Sequence, residues 1–137
     1  MRILLDTNIL IAAFIVHGVC AELLDHCIRR YRLITSEFIL DEFLKKLVHK
    51  LKYDHAEAEE AIGLLKLKME IVKPVMLKTQ ICRDADDDII LGTAIAGNAN
   101  CIITGDKDLL TLKEFDNIDI ISPSEFPDYE RRRIQKD

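Results

Sequence analysis

Four acidic residues stand where an α/β chain would gather chemistry: Asp6, Glu42, Asp87 and Asp106. Asp6 follows the apolar run Ile3-Leu4-Leu5, and Asp106 follows Ile102-Ile103-Thr104-Gly105. Each lies where a strand is about to become a helix. If those two strands lie side by side and parallel, both carboxylates reach one end of a sheet, where ligands of open parallel sheets bind. Carboxylates gathered in one cleft repel each other unless a hard cation neutralises them. Oxygen ligands without His or Cys suit Mg²⁺ or Mn²⁺ rather than zinc. Such ions do phosphoryl chemistry.

The run Asp84-Ala85-Asp86-Asp87-Asp88 is too acidic to be explained by capping alone. One carboxylate caps a helix, and four within five residues repel one another. Ile90, Leu91 and Ala94 define a buried helical stripe, and Asp87 continues it one turn earlier. Asp84 and Asp88 border the same face, and Asp86 has less claim by periodicity. Glu42 borders an apolar helix face built on Phe38 and Ile39, with Lys45 and Lys46 placed as ion-pair partners at i+3 and i+4. On spacing alone, Glu42 reads as a solvated flank.

Elements that could position these residues follow from the pattern. Strands are expected at 2–5, 33–35, 71–72, 101–104 and 118–121. Helices are expected at 9–15, 20–30, 37–51, 54–69, 84–96 and 107–112. Thr7 or Asn8 can cap the first helix, Ser36 the third, and Gly97-Asn98 stops the fifth. Alternating strands and helices predict a three-layer α/β sandwich around a mostly parallel five-stranded sheet. The expected domain spans 1–126, and 127–137, with Arg131-Arg132-Arg133, reads as a short, charged, frayed tail.

Bulk properties bound the function. The 137 residues suit one domain, and the net charge of −5 excludes a general nucleic-acid coat protein, though not a nucleic-acid enzyme. Cys20, Cys27, Cys82 and Cys101 have no zinc-site spacing and read as reduced thiols. The four histidines, His17, His26, His49 and His55, are scattered without paired spacing. With no Gly-rich phosphate loop, P-loop nucleotide hydrolysis has no support. The chain opens on a strand rather than a signal peptide, and no apolar run is long enough to span a bilayer, so a cytoplasmic protein without a membrane is expected. Lys45, Lys46, Lys50, Lys52 and Lys107 are the candidate phosphate contacts.

Taken in order, Asp6-Thr7-Asn8-Ile9-Leu10, Ser36 with Glu42, Asp84-Ala85-Asp86-Asp87-Asp88 and Thr104-Gly105-Asp106-Lys107-Asp108-Leu109-Leu110 resemble a PIN domain. The branch most similar is the VapC-like ribonucleases, toxins of toxin–antitoxin systems. The resemblance covers about residues 1–126 and departs from the branch at Ala85, where proline is common. It implies a Mg²⁺- or Mn²⁺-dependent endoribonuclease leaving a 5′-phosphate and a 3′-hydroxyl, with a small antitoxin partner and a homodimer. It carries the catalytic and metal-holding roles onto Asp6, Glu42, Asp87 and Asp106, and it raises Glu42 above its unaided reading. Asn8, Thr104 and Asp108 become supporting polar residues, and Asp86 a possible outer ligand. Whether Asp86, Asp88 or Asp108 joins the site stays open.

Two rivals come from other classes. A phosphatase could use Asp6 as a covalent nucleophile, although the expected second Asp two residues on is Asn8. A catalytically silent binding module could use the acids to hold a basic partner segment.

Overall fold

The computed structural model describes residues 1–15 and 18–136. At its centre is β1 (Arg2–Leu5), whose Ile3, Leu4 and Leu5 are buried. An unbroken apolar run of this kind suits a parallel strand covered on both faces. On one side β1 pairs in parallel with β2 (Arg32–Thr35), which pairs with β3 (Met69–Ile71). On the other it pairs in parallel with β4 (Cys101–Ile103), and β4 with β6 (Ile118–Ile121). A two-residue strand, β5 (Glu114–Phe115), closes the edge antiparallel to β6. The six-strand order is β3-β2-β1-β4-β6-β5.

The sheet thus has one strand more than expected. Asp116 and Asn117 both take left-handed φ, 52° and 65°, the geometry of a two-residue hairpin turn. That turn folds Glu114-Phe115 back onto β6. An Asp-Asn pair between two apolar-containing segments was the available signal for it.

Helices α1 (Thr7–Ile15), α2 (Val19–Arg30), α3 (Glu37–His49) and α4 (His55–Lys68) connect β1 to β2 and β2 to β3. Helices α5 (Ala85–Ala96) and α6 (Lys107–Leu112) carry the chain back through β4 to β6. Reversing the direction of strand addition places right-handed crossovers on opposite faces, which gives three layers. The reversal occurs between β1 and β4, so the switch point of the sheet falls where Asp6 and Asp106 emerge.

Local signals account for most helix ends. Ser36 accepts from the Ile39 amide, and Asp54 and Glu57 form a capping box at α4. Helix α1 begins at Thr7, two residues earlier than expected. The Asp6 carbonyl accepts from the Ile9 and Leu10 amides, so Asp6 takes the cap position that Thr7 or Asn8 was expected to fill. At the end of α5, Asn98 takes the left-handed φ of 52°, while Gly97 is needed for space. A Cβ on Gly97 would lie 2.3 Å from the Ile34 side chain. Strand β3 starts two residues before its expected position, because its ladder with β2 begins at Met69 opposite Leu33.

The terminal segment is ordered. A 3₁₀ turn at Pro123–Glu125 leads into α7 (Phe126–Lys136), where Phe126 and Tyr129 are buried. The Tyr129 hydroxyl donates to Asp119 at 2.7 Å, and His26 and Tyr31 both bond Glu130. These apolar and hydrogen-bonded anchors, hidden behind the charged arginine run, replace the expected frayed end.

Candidate active site

Asp6 is placed by the β1–β4 ladder itself. Its amide donates to the Ile103 carbonyl at 3.0 Å, which sets the residue beside Thr104. Only 6% exposed, its carboxylate is held at both oxygens. The Thr7 amide donates to Oδ1 and the Thr104 hydroxyl to Oδ2, each at 2.7 Å. Burial pushes the Asp6 carboxyl above its ordinary value, and the two hydrogen bonds oppose that rise.

Asp106 stands at the end of the neighbouring strand. Its amide donates to the Thr104 hydroxyl at 3.0 Å, and its own Oδ1 accepts from the Asp108 and Leu109 amides, capping α6. Capping and cleft position therefore coexist in one residue. Asp87 enters from α5, on the stripe continued by the buried Ile90, Leu91 and Ala94. It is 9% exposed, as periodicity predicted. Carboxylate oxygens of Asp87, Asp106 and Asp108 all lie within 4.8 Å of one another. Burial, then the Asp106 and Asp6 charges, push Asp87 up to about 7.

Glu42 lies to the side of this trio. The Thr7 hydroxyl donates to its Oε1 at 3.2 Å, so Thr7 joins Glu42 to Asp6 by its hydroxyl and its amide. Burial raises the Glu42 carboxyl, and the Asp86 and Asp6 charges add to the rise. Lys46 does not pair with Glu42 as spacing suggested: its Nζ donates to Asn8 Oδ1 at 2.8 Å.

Two other acids of the run, Asp84 and Asp88, are occupied structurally. Asp84 caps α5 through the Asp86 amide. Asp88 accepts from the Ile81 and Cys82 amides at 3.0 and 2.8 Å, fixing the turn before the helix. All four cysteines are free, and the buried Cys82 thiol is pushed up to about 12 by burial and by Asp88. His17 lies outside the described residues, and His26 turns to Glu130 rather than to the acids.

Sequence reasoning ranked Asp108 as support, yet it converges with Asp87 and Asp106. Its position two residues after Asp106, across the first turn of α6, was the only signal. Thr7 was singled out only as a candidate helix cap, and Arg83, which donates to Asp108 at 2.8 Å, not at all.

Residues 2–108 match the PIN domain. The chain belongs to the PIN domain family. Two solved structures share its fold. VapBC2 from Rickettsia felis, bound to a DNA fragment from their promoter, is 17% identical with a TM-score of 0.63, over 89% of this chain and 98% of that one. VapBC-1 from nontypeable Haemophilus influenzae is 20% identical with a TM-score of 0.65, over 90% and 99%. No curated protein matches the chain.

The donor chemistry of this PIN domain fits a divalent cation that prefers oxygen. Three carboxylates converge with no histidine or cysteine among them, and burial, followed by the Asp106 and Asp6 charges, drives Asp87 toward its protonated form. No single described helix is long and apolar enough to cross a membrane.

Proposed function

We propose that this PIN domain is a metal-dependent endoribonuclease that hydrolyses RNA phosphodiester bonds. The observation carrying the proposal is the convergence of Asp87, Asp106 and Asp108 beside the buried Asp6 at the sheet's switch point. In this reading Asp87, Asp106 and Asp108 would hold Mg²⁺ or Mn²⁺, with Asp6 and Glu42 completing the site. The bound ion would neutralise the acids and polarise a phosphodiester oxygen.

The chain's own groups have distinct tasks. Thr104 orients Asp6 Oδ2, and the Thr7 amide orients Oδ1, so the carboxylate enters the cleft in one direction. Thr7 also holds Glu42 toward the same side, where its raised carboxyl can accept or return a proton. Asp87 loses its proton near neutrality, which matches ionisation of the site to working pH. The fixed engagement of both Asp6 oxygens suits an orienting role better than covalent attack on phosphorus, and this disfavours the aspartate-nucleophile phosphatase.

The likeness to the two VapBC structures supports a finer reading, the toxin of a toxin–antitoxin pair inhibited by a small antitoxin protein, and we extend it to a cytoplasmic homodimer. The test is cleavage of structured and unstructured RNAs with Mg²⁺ or Mn²⁺. Wild-type protein should cut internally, and Asp6→Asn should lose at least about a hundredfold in rate while keeping its circular dichroism spectrum. Full activity in Asp6→Asn would overturn the assignment. Absence of Mg²⁺ and Mn²⁺ binding near neutral pH would favour the silent binding module instead.

A further inference from the structure

Arg83 lies in the turn entering α5, and its Nη2 donates to Asp108 Oδ1 at 2.8 Å. Asp108 is one of the three converging carboxylates. An arginine therefore already pairs with a carboxylate of the cluster proposed to hold a dication. The other arginine pairs, among them Arg2–Glu70, Arg29–Asp25 and Arg133–Asp119, hold carboxylates outside that cluster.

The base of Arg83 and its tip differ in freedom. Asp88 pins the Ile81 and Cys82 amides, and the Gln80 side-chain Nε2 donates to the Cys82 and Arg83 carbonyls at 2.8 and 3.2 Å. The backbone is thus fixed by four bonds. The side chain is 87% exposed, against 36% for its partner Asp108. An ion pair this exposed is weak and easily exchanged. A dication at the same carboxylate interacts more strongly, because it brings twice the charge.

We propose that Arg83 is an exchangeable counter-ion: it neutralises Asp108 until a divalent cation takes that carboxylate, then binds a phosphate of the RNA strand in the cleft. This inference rests on the nuclease reading above. The guanidinium fork that fits a carboxylate also fits a phosphate. A polyanion approaching these acids is repelled unless the rim offers cations. Lys46 supplies one beside Asp6 and Glu42, held by Asn8. Arg83 supplies the other beside Asp108. Metal and RNA then tighten one another, because each favours the separated Arg83–Asp108 pair.

Binding rather than turnover tests this. Mn²⁺ calorimetry, and anisotropy of a short labelled single-stranded oligoribonucleotide in EDTA and in Ca²⁺, would compare wild type, Arg83→Ala, Arg83→Lys and the exposed control Arg30→Ala. The strand would be checked intact on a gel. Arg83→Ala should bind Mn²⁺ about three- to fivefold tighter, since its competitor is gone. Its RNA affinity in Ca²⁺ should fall about three- to tenfold, and its salt slope should drop by about 0.7. The gain in RNA affinity on adding Ca²⁺ should shrink with it. Arg83→Lys should recover part of the RNA affinity, and Arg30→Ala should match wild type. Unchanged or weaker Mn²⁺ binding in Arg83→Ala overturns the exchange, and undiminished RNA binding overturns the phosphate contact. Wild-type protein that binds neither Mn²⁺ nor RNA overturns the nuclease reading itself. Wild type that binds both, with Arg83→Ala indistinguishable from it, overturns this inference alone.

Discussion

Thr104 donates its hydroxyl to Asp6 Oδ2 at 2.7 Å, joining the ends of two adjacent parallel strands. The Thr104 hydroxyl oxygen in turn accepts from the Asp106 amide at 3.0 Å, so one fully buried hydroxyl fixes two of the acids. Polar groups inside a core are costly unless bonded, and here the bonds run between the residues that would do the chemistry.

Replacing that hydroxyl isosterically should therefore be expensive. Thr104→Val leaves a buried carboxylate short of a donor and the Asp106 amide short of an acceptor. A loss of about 2–3 kcal/mol in urea unfolding is expected. Thr104→Ser keeps the oxygen and should cost under about 1 kcal/mol. Equal losses in the two variants would show that the methyl group, not the bond, matters.

Asp87 makes metal-free stability depend on pH. Its folded value of about 7 lies above the ordinary 3.8, so the folded chain binds more protons between those values. Its contribution is fully present below about pH 4 and is lost as pH rises through 7. Asp87→Asn removes this penalty. In EDTA at pH 8 the variant should be more stable than wild type by about 1–3 kcal/mol, and the gap should close toward pH 4. Thermal melts at the two pH values measure it.

Metal binding should displace the same proton. Below pH 7, Mn²⁺ affinity is expected to fall about tenfold per pH unit, levelling above pH 8. Calorimetry in buffers of different ionisation enthalpy should register close to one proton released per ion at pH 6. A pH-independent affinity would place the ion away from Asp87.

Gly92 serves packing rather than chemistry. A Cβ there would fall 2.2 Å from the Val75 carbonyl oxygen, and the Val75 amide already donates to Gly92 at 3.1 Å. Backbone on backbone cannot yield as a side chain tip does. Gly92→Ala should cost about 1–3 kcal/mol and speed proteolysis within 72–83. Gly63→Ala, on the open side of α4 with nothing within 4 Å, should be neutral or stabilising.

Much of this was legible in the chain because it is local. Apolar runs marked β1, β4 and β6, and the cap residues Ser36, Asp54 and Asp84 marked where helices begin. Helical period turned Asp87 inward, with Asp84 and Asp88 bordering the same face, and strand ends placed Asp6 and Asp106. The short β5 and the docking of α7 escaped, since a two-residue strand has no period and α7 is anchored by residues distant in sequence.

What the tertiary structure decided is distance between elements. Sheet order put β1 beside β4, and the placement of α5 and α6 beyond the ends of those strands brought Asp108 to Asp87 while leaving Glu42 linked through Thr7. It also set Arg83 against Asp108 across 25 residues. Periodicity fixes which face a side chain takes on its own element. Which carboxylates meet, and which cation they meet first, depends on how three elements pack, and no local pattern encodes that.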